Sequence, residues 1–274
     1  MDTNQPTYLF LQSVSNNAFH WCLFLSPGDE LFLSADFSKK DNQVTVKGKG
    51  SNNNQPEIFA LTNMDMQPFN DEKNPDQVIA AINKQYLLNK TILTNYIKAN
   101  KPSAEFIKNA MVNLKYFAPA NYYEFSHNHT LFMSKQELKP WLRIQDSLFA
   151  TVKLSNDEAL NAYNYNKLVD NFVMREAEAA KMEYEANPAE FYHRWFKANP
   201  AKGKKEYNGT QTGVLNNMII DKYFSGKAAE YAYGQTIKLK FVRADYPAVV
   251  SMFNHFKKEF PASVYLKGFS PYHR

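Results

Sequence analysis

A continuous helical period over residues 155–199 constrains the fold more than any other feature of the sequence. Apolar side chains recur there at steps of three and four residues, which is the spacing of one buried helix face. These positions are Leu160, Tyr165, Leu168, Val169, Phe172, Val173, Ala177 and Ala180. Ser155 followed by Glu158 is typical of a helix start, and Pro188 disfavours helical backbone at the residue before it. We therefore predict a long helix from about residue 155 to residue 186, and a second helix from Pro188.

The N-terminal part of the chain has a different pattern, which predicts β structure over residues 7–62. Short aromatic or β-branched runs alternate with turn residues such as Pro27-Gly28-Asp29, as in consecutive strands joined by tight turns. The predicted strands are 8–11, 19–25, 30–37, 43–49 and 57–61. Because the connections are short, we expect an antiparallel meander.

Two further helices and an extended segment are predicted in the middle of the chain. Asn74 and Pro75 supply a cap and a first-position proline, so a helix should begin at Pro75 and run to about residue 98. Apolar residues at helical spacing predict another helix over 106–117, and residues 122–133 look extended.

The last forty residues suggest strand, helix and strand. Ile237, Leu239 and Phe241 alternate with lysines, as in a half-exposed strand. Pro247 opens an apolar helical pattern, and a strand is expected over 263–269. The fold class predicted is therefore α+β: an N-terminal antiparallel β meander, a central helical region with one long helix, and a C-terminal β-α-β segment. The corresponding domain boundaries are 1–68, 69–232 and 233–274, with the closing segment able to join the N-terminal sheet.

Composition narrows the functional classes only moderately. A chain of 274 residues with 15% aromatic residues can bury a large core, and a single cysteine excludes an internal disulfide. The net charge of +5 is too small to indicate nucleic-acid binding. Residues 1–6 lack a basic segment, and no apolar run approaches about 20 residues, which predicts neither a cleaved signal nor a membrane span. We expect a cytoplasmic protein, or one delivered into another cell's cytosol without a cleaved signal peptide.

The lone cysteine is one candidate for catalysis. Cys22 lies in the aromatic run 19–25, and His20 shares its face if that run is a strand. An imidazole close to a thiol can lower the pKa of the thiol and make it nucleophilic. The alternative is a buried core cysteine, because cysteine in an apolar strand behaves as a small hydrophobic residue.

Two histidines form a candidate metal site. His127 and His129 would lie on one face of a strand over 122–133, and two such imidazoles can bind one metal when a third ligand comes from a neighbouring element. The sequence shows no third ligand by its spacing. The alternative is that both histidines pack beside apolar neighbours or face solvent.

A basic loop before a predicted helix at 213–224 is a candidate anion site. The contributing residues are Lys202, Lys204, Lys205, Thr210 and Thr212, with the free N–H groups of the helix start. Gly209 is followed by threonine, so the loop is not a P-loop. The alternative is a solvated surface turn.

These patterns favour a non-enzymatic or regulatory protein that binds another protein. Abundant asparagine and lysine with few glycines suit an AT-rich genome, so a bacterial or phage accessory or effector protein is the class that we expect. The main alternative is a hydrolase or transferase that uses Cys22 with a histidine, or a metal held by His127 and His129. The sequence leaves any cofactor and the oligomeric state open.

Overall fold

A computed structural model describes residues 6–12, 20–36, 43–55, 64–130 and 133–269, and over these ranges the protein is mostly helical. Helices account for 69% of the structure, and β structure is confined to two small two-stranded sheets within the described ranges. The predicted α+β architecture is therefore wrong. No helix in the described part of the chain is both long and apolar enough to cross a membrane.

The chain divides into two compact units. The N-terminal unit holds the described residues of 1–152 together with 161–166, and the C-terminal unit holds those of 153–160 and 167–274. The three-part division at residues 68 and 232 stays a prediction.

Four of the five predicted strands are confirmed, and they form two antiparallel hairpins. The strands are β1 (Thr7–Gln12), β2 (His20–Leu25), β3 (Glu30–Asp36) and β4 (Gln43–Lys49). The first two strands pair with each other, as do the last two, so the predicted continuous meander is not formed. The predicted strand at 57–61 lies outside the described residues.

The side chain of Asn54 explains why no further strand pairs with β2 at Phe24. The Phe24 N–H donates to Asn54 Oδ1 at 2.6 Å, and the Asn54 amide donates back to the Phe24 carbonyl at 2.8 Å. The amide thereby occupies the two backbone groups that another strand would have used. Both residues are buried, with 1% of their surface exposed.

Eleven α-helices are found in the described ranges. They are α1 (Pro75–Asn100), α2 (Ala104–Lys115), α3 (Phe117–Thr130), α4 (Lys135–Phe149), α5 (Tyr163–Ala186), α6 (Pro188–Phe196), α7 (Pro200–Glu206), α8 (Thr212–Tyr223), α9 (Gly226–Val242), α10 (Tyr246–Glu259) and α11 (Tyr265–Phe269). The start of α1 is confirmed, because the Asn74 side chain accepts a hydrogen bond from the Asp76 N–H at 3.0 Å. The segment predicted as extended at 122–133 belongs largely to α3.

The long helix ends where the sequence predicts but begins eight residues later. Helix α5 ends at Ala186 before α6 starts at Pro188, as expected. Its predicted start fails because the capping groups are used elsewhere. Ser155 Oγ accepts a hydrogen bond from the Ser225 N–H at 3.0 Å, and Asp157 accepts one from the Ala228 N–H at 2.8 Å. These groups therefore satisfy the N-terminus of α9 instead of starting α5.

The predicted C-terminal β-α-β segment is also wrong. Residues 236–242 complete α9, and residues 265–269 form the short helix α11. The buried positions of α9 are Ala228, Ala229, Tyr231, Ala232, Tyr233, Gly234 and Ile237. The alternation seen at 237–241 therefore falls on the last turns of a longer helix, where Ile237 is buried and the four residues after it are partly or fully exposed.

Aromatic side chains dominate both cores. In the N-terminal unit Phe24 meets Phe106 edge to face, with ring centroids 5.4 Å apart. In the C-terminal unit Phe191, Tyr192 and Tyr207 form one buried cluster. Helix α7 approaches this cluster through Gly203, where any side chain would overlap the ring of Tyr192.

Candidate functional site

A cleft in the C-terminal unit, between α5, α8 and α9, combines an apolar floor with charged walls. Its volume is about 100 Å³, and Met174, Ala177, Leu215 and Leu239 supply the apolar surface. The lining residues of α9 are 236, 239, 240 and 243, which recur at three- and four-residue steps. One face of the end of α9 therefore forms a wall of this α5–α8–α9 cleft.

The strongest hydrogen-bond donor in the cleft is Arg243. Its guanidinium contacts the sulfur of Met174 at 3.9 Å, and no carboxylate among the described residues lies within ion-pair distance of it. Lys240, in contrast, pairs with Asp245 at 3.5 Å. Arg243 is exposed, and an arginine without a carboxylate partner can bind an external carboxylate, since the guanidinium presents two parallel N–H groups.

Asn216 adds a buried polar group to the same cleft. Only 2% of its surface is exposed, and its Nδ2 has no hydrogen-bond partner within the described structure. Other buried side chains share this property, among them Asn89, but Asn216 is the one of these that lines the cleft. A buried amide N–H without a partner is costly, and because this Nδ2 is fully buried, a ligand in the cleft would reach it only after the side chain turns.

Two acidic residues, Asp170 and Glu178, lie on the α5 wall. Loss of hydration raises the pKa of Asp170 to about 7, and a hydrogen bond from Tyr231 and the charge of Lys238 act in the opposite direction. Solvent still reaches part of Asp170, which limits how strongly burial acts on it. Three cations, Lys181, Lys240 and Arg243, line the same space, but Lys181 pairs with Glu185 at 3.7 Å and Lys240 pairs with Asp245. Arg243 is therefore the cation of the cleft that has no carboxylate partner among the described residues.

Exposed apolar side chains flank the turn that joins α9 to α10. Val242 is 73% exposed, Val250 60%, Tyr246 56% and Leu239 36%. Leu239 and Val242 are three residues apart on α9, and Tyr246 and Val250 are four apart on α10, so each pair shares a helix face. We call these four residues the apolar ridge. Leu239 also lines the cleft, so the ridge and the cleft are continuous.

The surroundings of Cys22 differ from those of a nucleophilic cysteine. Cys22 lies opposite Phe10 in the β1–β2 hairpin, and burial raises its pKa to about 12. Reactive cysteines instead have lowered pKa values next to positive charge or a helix N-terminus. The side chain of His20 lies outside what the structure describes, so the predicted pairing has no geometry.

The histidine pair does not share a face. His127 and His129 lie in α3, where two residues turn through about 200°, so the strand geometry behind the metal prediction is wrong. His129 stacks on Phe125 and packs on Trp141, with ring centroids 5.1 and 5.0 Å away. No group of three or more His, Cys, Asp or Glu side chains able to hold a metal occurs among the described residues.

The lysines of the predicted basic loop belong to the short helix α7. Lys202 and Lys204 are two residues apart, which separates them by about 200°, whereas Lys202 and Lys205 are three apart and share a face. The Thr210 hydroxyl donates to Asn208 Oδ1 at 2.7 Å, and the side chain of Thr212 is outside the described structure. The anion site stays a prediction.

The cleft was missed by sequence reasoning because its α9 wall was assigned to a strand. A signal was present, since Asp170, Met174, Ala177, Glu178 and Lys181 recur at helical steps on α5. Such a mixed stripe is also typical of an ordinary solvated helix face. Only the packing of α8 and α9 against α5 makes it a cleft.

Comparison with known proteins identifies no relative of this chain. No protein-family model, no curated protein and no solved structure matches the chain. Function must therefore be argued from the geometry of the site itself.

Proposed function

We propose that this protein is a non-enzymatic binding protein and that its C-terminal unit binds a segment of another protein. The apolar ridge carries this proposal. Four large apolar side chains that are 36% to 73% exposed flank a single turn, next to a concave cleft. Single exposed apolar residues are common, whereas a group of them beside a cleft is typical of an interaction site.

The helices that present the ridge are well supported for recognition. Helix α9 packs against α10, and Met252 and Phe256 on the inner face of α10 are fully buried. The exposed side chains therefore stand on rigid elements, which reduces the conformational entropy lost when a partner binds. Covering the ridge would remove apolar surface from water, which favours a complex.

The cellular setting belongs to the same proposal. We propose a bacterial or phage accessory or effector protein that acts in a cytosol, on the strength of the single cysteine and the Asn- and Lys-rich composition. The alternative, a hydrolase or transferase based on Cys22 or on the histidine pair, stays a prediction that no described contact favours. Nucleic acid is not the proposed partner, because net charge is only +5.

The proposed function is tested by peptide selection against the full chain. A random 12-residue display library is selected on the immobilised protein, and the recovered peptides are measured against Val242→Asp and Val250→Asp. We expect each substitution to weaken binding at least about tenfold, because a charge replaces an apolar contact.

Leu87→Asp is the matched control, because Leu87 is a similarly exposed apolar residue on α1 in the N-terminal unit. It should leave binding unchanged. Failure to enrich any peptide, or equal losses with Leu87→Asp, would overturn the proposed function. Circular dichroism of each variant separates a local effect from loss of the fold.

A further inference from the structure

We infer that the partner segment carries an Asp or Glu side chain that enters the α5–α8–α9 cleft while neighbouring apolar side chains cover the ridge. This inference rests on the proposed function and names the chemistry of the partner. The ridge supplies the apolar contact, and the cleft selects the acidic group beside it.

Arg243 is the group that would bind the carboxylate. It stands at the end of α9 between ridge and cleft, and within the described structure its guanidinium meets only the neutral sulfur of Met174. Arginine and carboxylate form paired, charge-assisted hydrogen bonds that are shorter and stronger than neutral ones. A partner carboxylate is the acceptor that this guanidinium lacks.

Thr236 adds a second donor to the cleft, since it brings a hydroxyl from the α9 wall. A carboxylate has two oxygens and about four acceptor positions, so it can accept from a hydroxyl and a guanidinium together. Asn216 also lines the cleft, but its Nδ2 is fully buried and meets a ligand only if the side chain turns.

The size of the cleft admits the end of a side chain. A single water needs at least about 10–15 Å³ of this kind of volume, so about 100 Å³ holds several waters or the carboxyl end of one acidic residue. The rest of the partner would lie outside, over the ridge.

An anionic membrane surface is the competing explanation for exposed apolar residues beside cations. The cleft argues against it, because Glu178 and Asp170 line the same space as the cations. A flat layer of phosphates would meet both carboxylates, whereas one inserted side chain can reach Arg243 and avoid Glu178. We therefore assign the ridge and cleft to a protein segment.

The test is a double-mutant cycle on the selected peptides. Each acidic residue of an enriched peptide is changed to its amide, and binding is measured with the wild-type chain and with Arg243→Gln. We expect one Glu→Gln or Asp→Asn change to weaken binding about tenfold with the wild type, and to have no effect with Arg243→Gln. Lys227→Gln, an exposed cation at the other end of α9, is the matched control and should leave the peptide preference intact.

The outcomes separate this inference from the proposed function. Peptides that depend on Val242 but lack acidic residues, or that show no coupling to Arg243, overturn the inference and leave the proposed function standing. If no peptide is enriched, both are lost. Binding to vesicles of phosphatidylcholine and phosphatidylserine that is lost in Val242→Asp would overturn the inference and indicate that the ridge binds a membrane. Binding of free glutarate that requires Arg243 but not Val242 would reassign the cleft to a small molecule.

Discussion

Asn54 and Asn216 are both buried asparagines, but their amides do opposite things. Asn54 in the N-terminal unit bonds the N–H and the carbonyl of Phe24, so its polar groups are consumed by the fold. Asn216 in the C-terminal unit keeps an Nδ2 without a partner in the described structure and lines a cleft. The difference teaches that a buried polar residue is best interpreted through its hydrogen-bond partners, since burial alone does not separate structure from function.

A second network shows that the difference is not one between the two units. In the C-terminal unit the Tyr233 hydroxyl donates to Asp221 at 2.7 Å, and His255 lies 3.0 Å from the other oxygen of that carboxylate. These groups join α8, α9 and α10 and satisfy one another. A satisfied polar network and a buried amide N–H without a partner therefore occur in the same unit.

The largest expected effect on stability comes from removing the hydrogen-bonded amide of Asn54. Asn54→Ala should lower the free energy of unfolding by about 2–4 kcal/mol, because both polar backbone groups of Phe24 stay buried and lose their partner. Urea unfolding followed by circular dichroism measures the change. Asn52→Ala in the same loop removes an exposed hydrogen bond to Lys101 and should cost less than about 1 kcal/mol. Similar losses for the two variants would show that the Asn54 amide is not the structural link that its contacts indicate.

The Tyr233 network should give the next largest effect, and it should depend on pH. Tyr233→Phe is expected to lower stability by about 1–2 kcal/mol at pH 7 by removing the hydrogen bond to Asp221. Burial raises the pKa of Tyr233 well above its usual value. Above about pH 10 an unfolded tyrosine loses its proton while the folded one keeps it, so the stability of the wild type falls as pH rises.

Urea unfolding at pH 8 and at pH 11 measures this dependence. The decline should be shallower in Tyr233→Phe, because one buried hydroxyl no longer titrates. Equal declines in the two proteins would contradict the proposed linkage.

A smaller effect, with the opposite sign, is expected at the unsatisfied amide. Asn216→Leu should leave stability unchanged or raise it by up to about 1 kcal/mol, because an apolar group replaces a buried donor that has no partner. A stability loss above about 2 kcal/mol would show that the amide is part of the fold, as Asn54 is.

The smallest expected effect concerns the thiol. Alkylation of Cys22 by iodoacetamide should be slow at pH 7 and should still be increasing at pH 10, because burial raises its pKa to about 12. Mass spectrometry of the intact chain measures the rate, and Cys22→Ala controls for other sites. Rapid reaction with a plateau below pH 8 would restore the cysteine-enzyme alternative.

Local chemistry was predictable where it acts over a few residues. The start of α1 follows from Asn74 and Pro75, and the boundary after Ala186 follows from the steric restriction that Pro188 imposes on Asn187. Four strands were also found from their composition. In each case the deciding interactions lie within one turn of helix or one strand.

The candidate site was not predictable in this way. Ser155 and Asp157 resemble the start of their own helix, but their side chains cap α9, about seventy residues later. The alternation of Ile237, Leu239 and Phe241 fits a strand equally well until the helical run upstream is known to be buried. The stripe on α5 became one wall of a cleft only when α8 and α9 packed against it.

The sequence by itself determined the helix boundaries at Pro75 and Pro188, the positions of β1 to β4, and the presence of enough aromatic side chains to fill the cores. Steric exclusion, capping and side-chain alternation act locally, so a linear pattern is enough to predict them. Tertiary structure alone decided three other features. The Asn54 side chain blocks further strand pairing at Phe24 of β2, and α9 stays helical to Val242. Arg243 and Asn216 line one cleft, which adjoins the apolar ridge. Those outcomes depend on which distant group satisfies each buried hydrogen bond, and a linear pattern does not contain that choice.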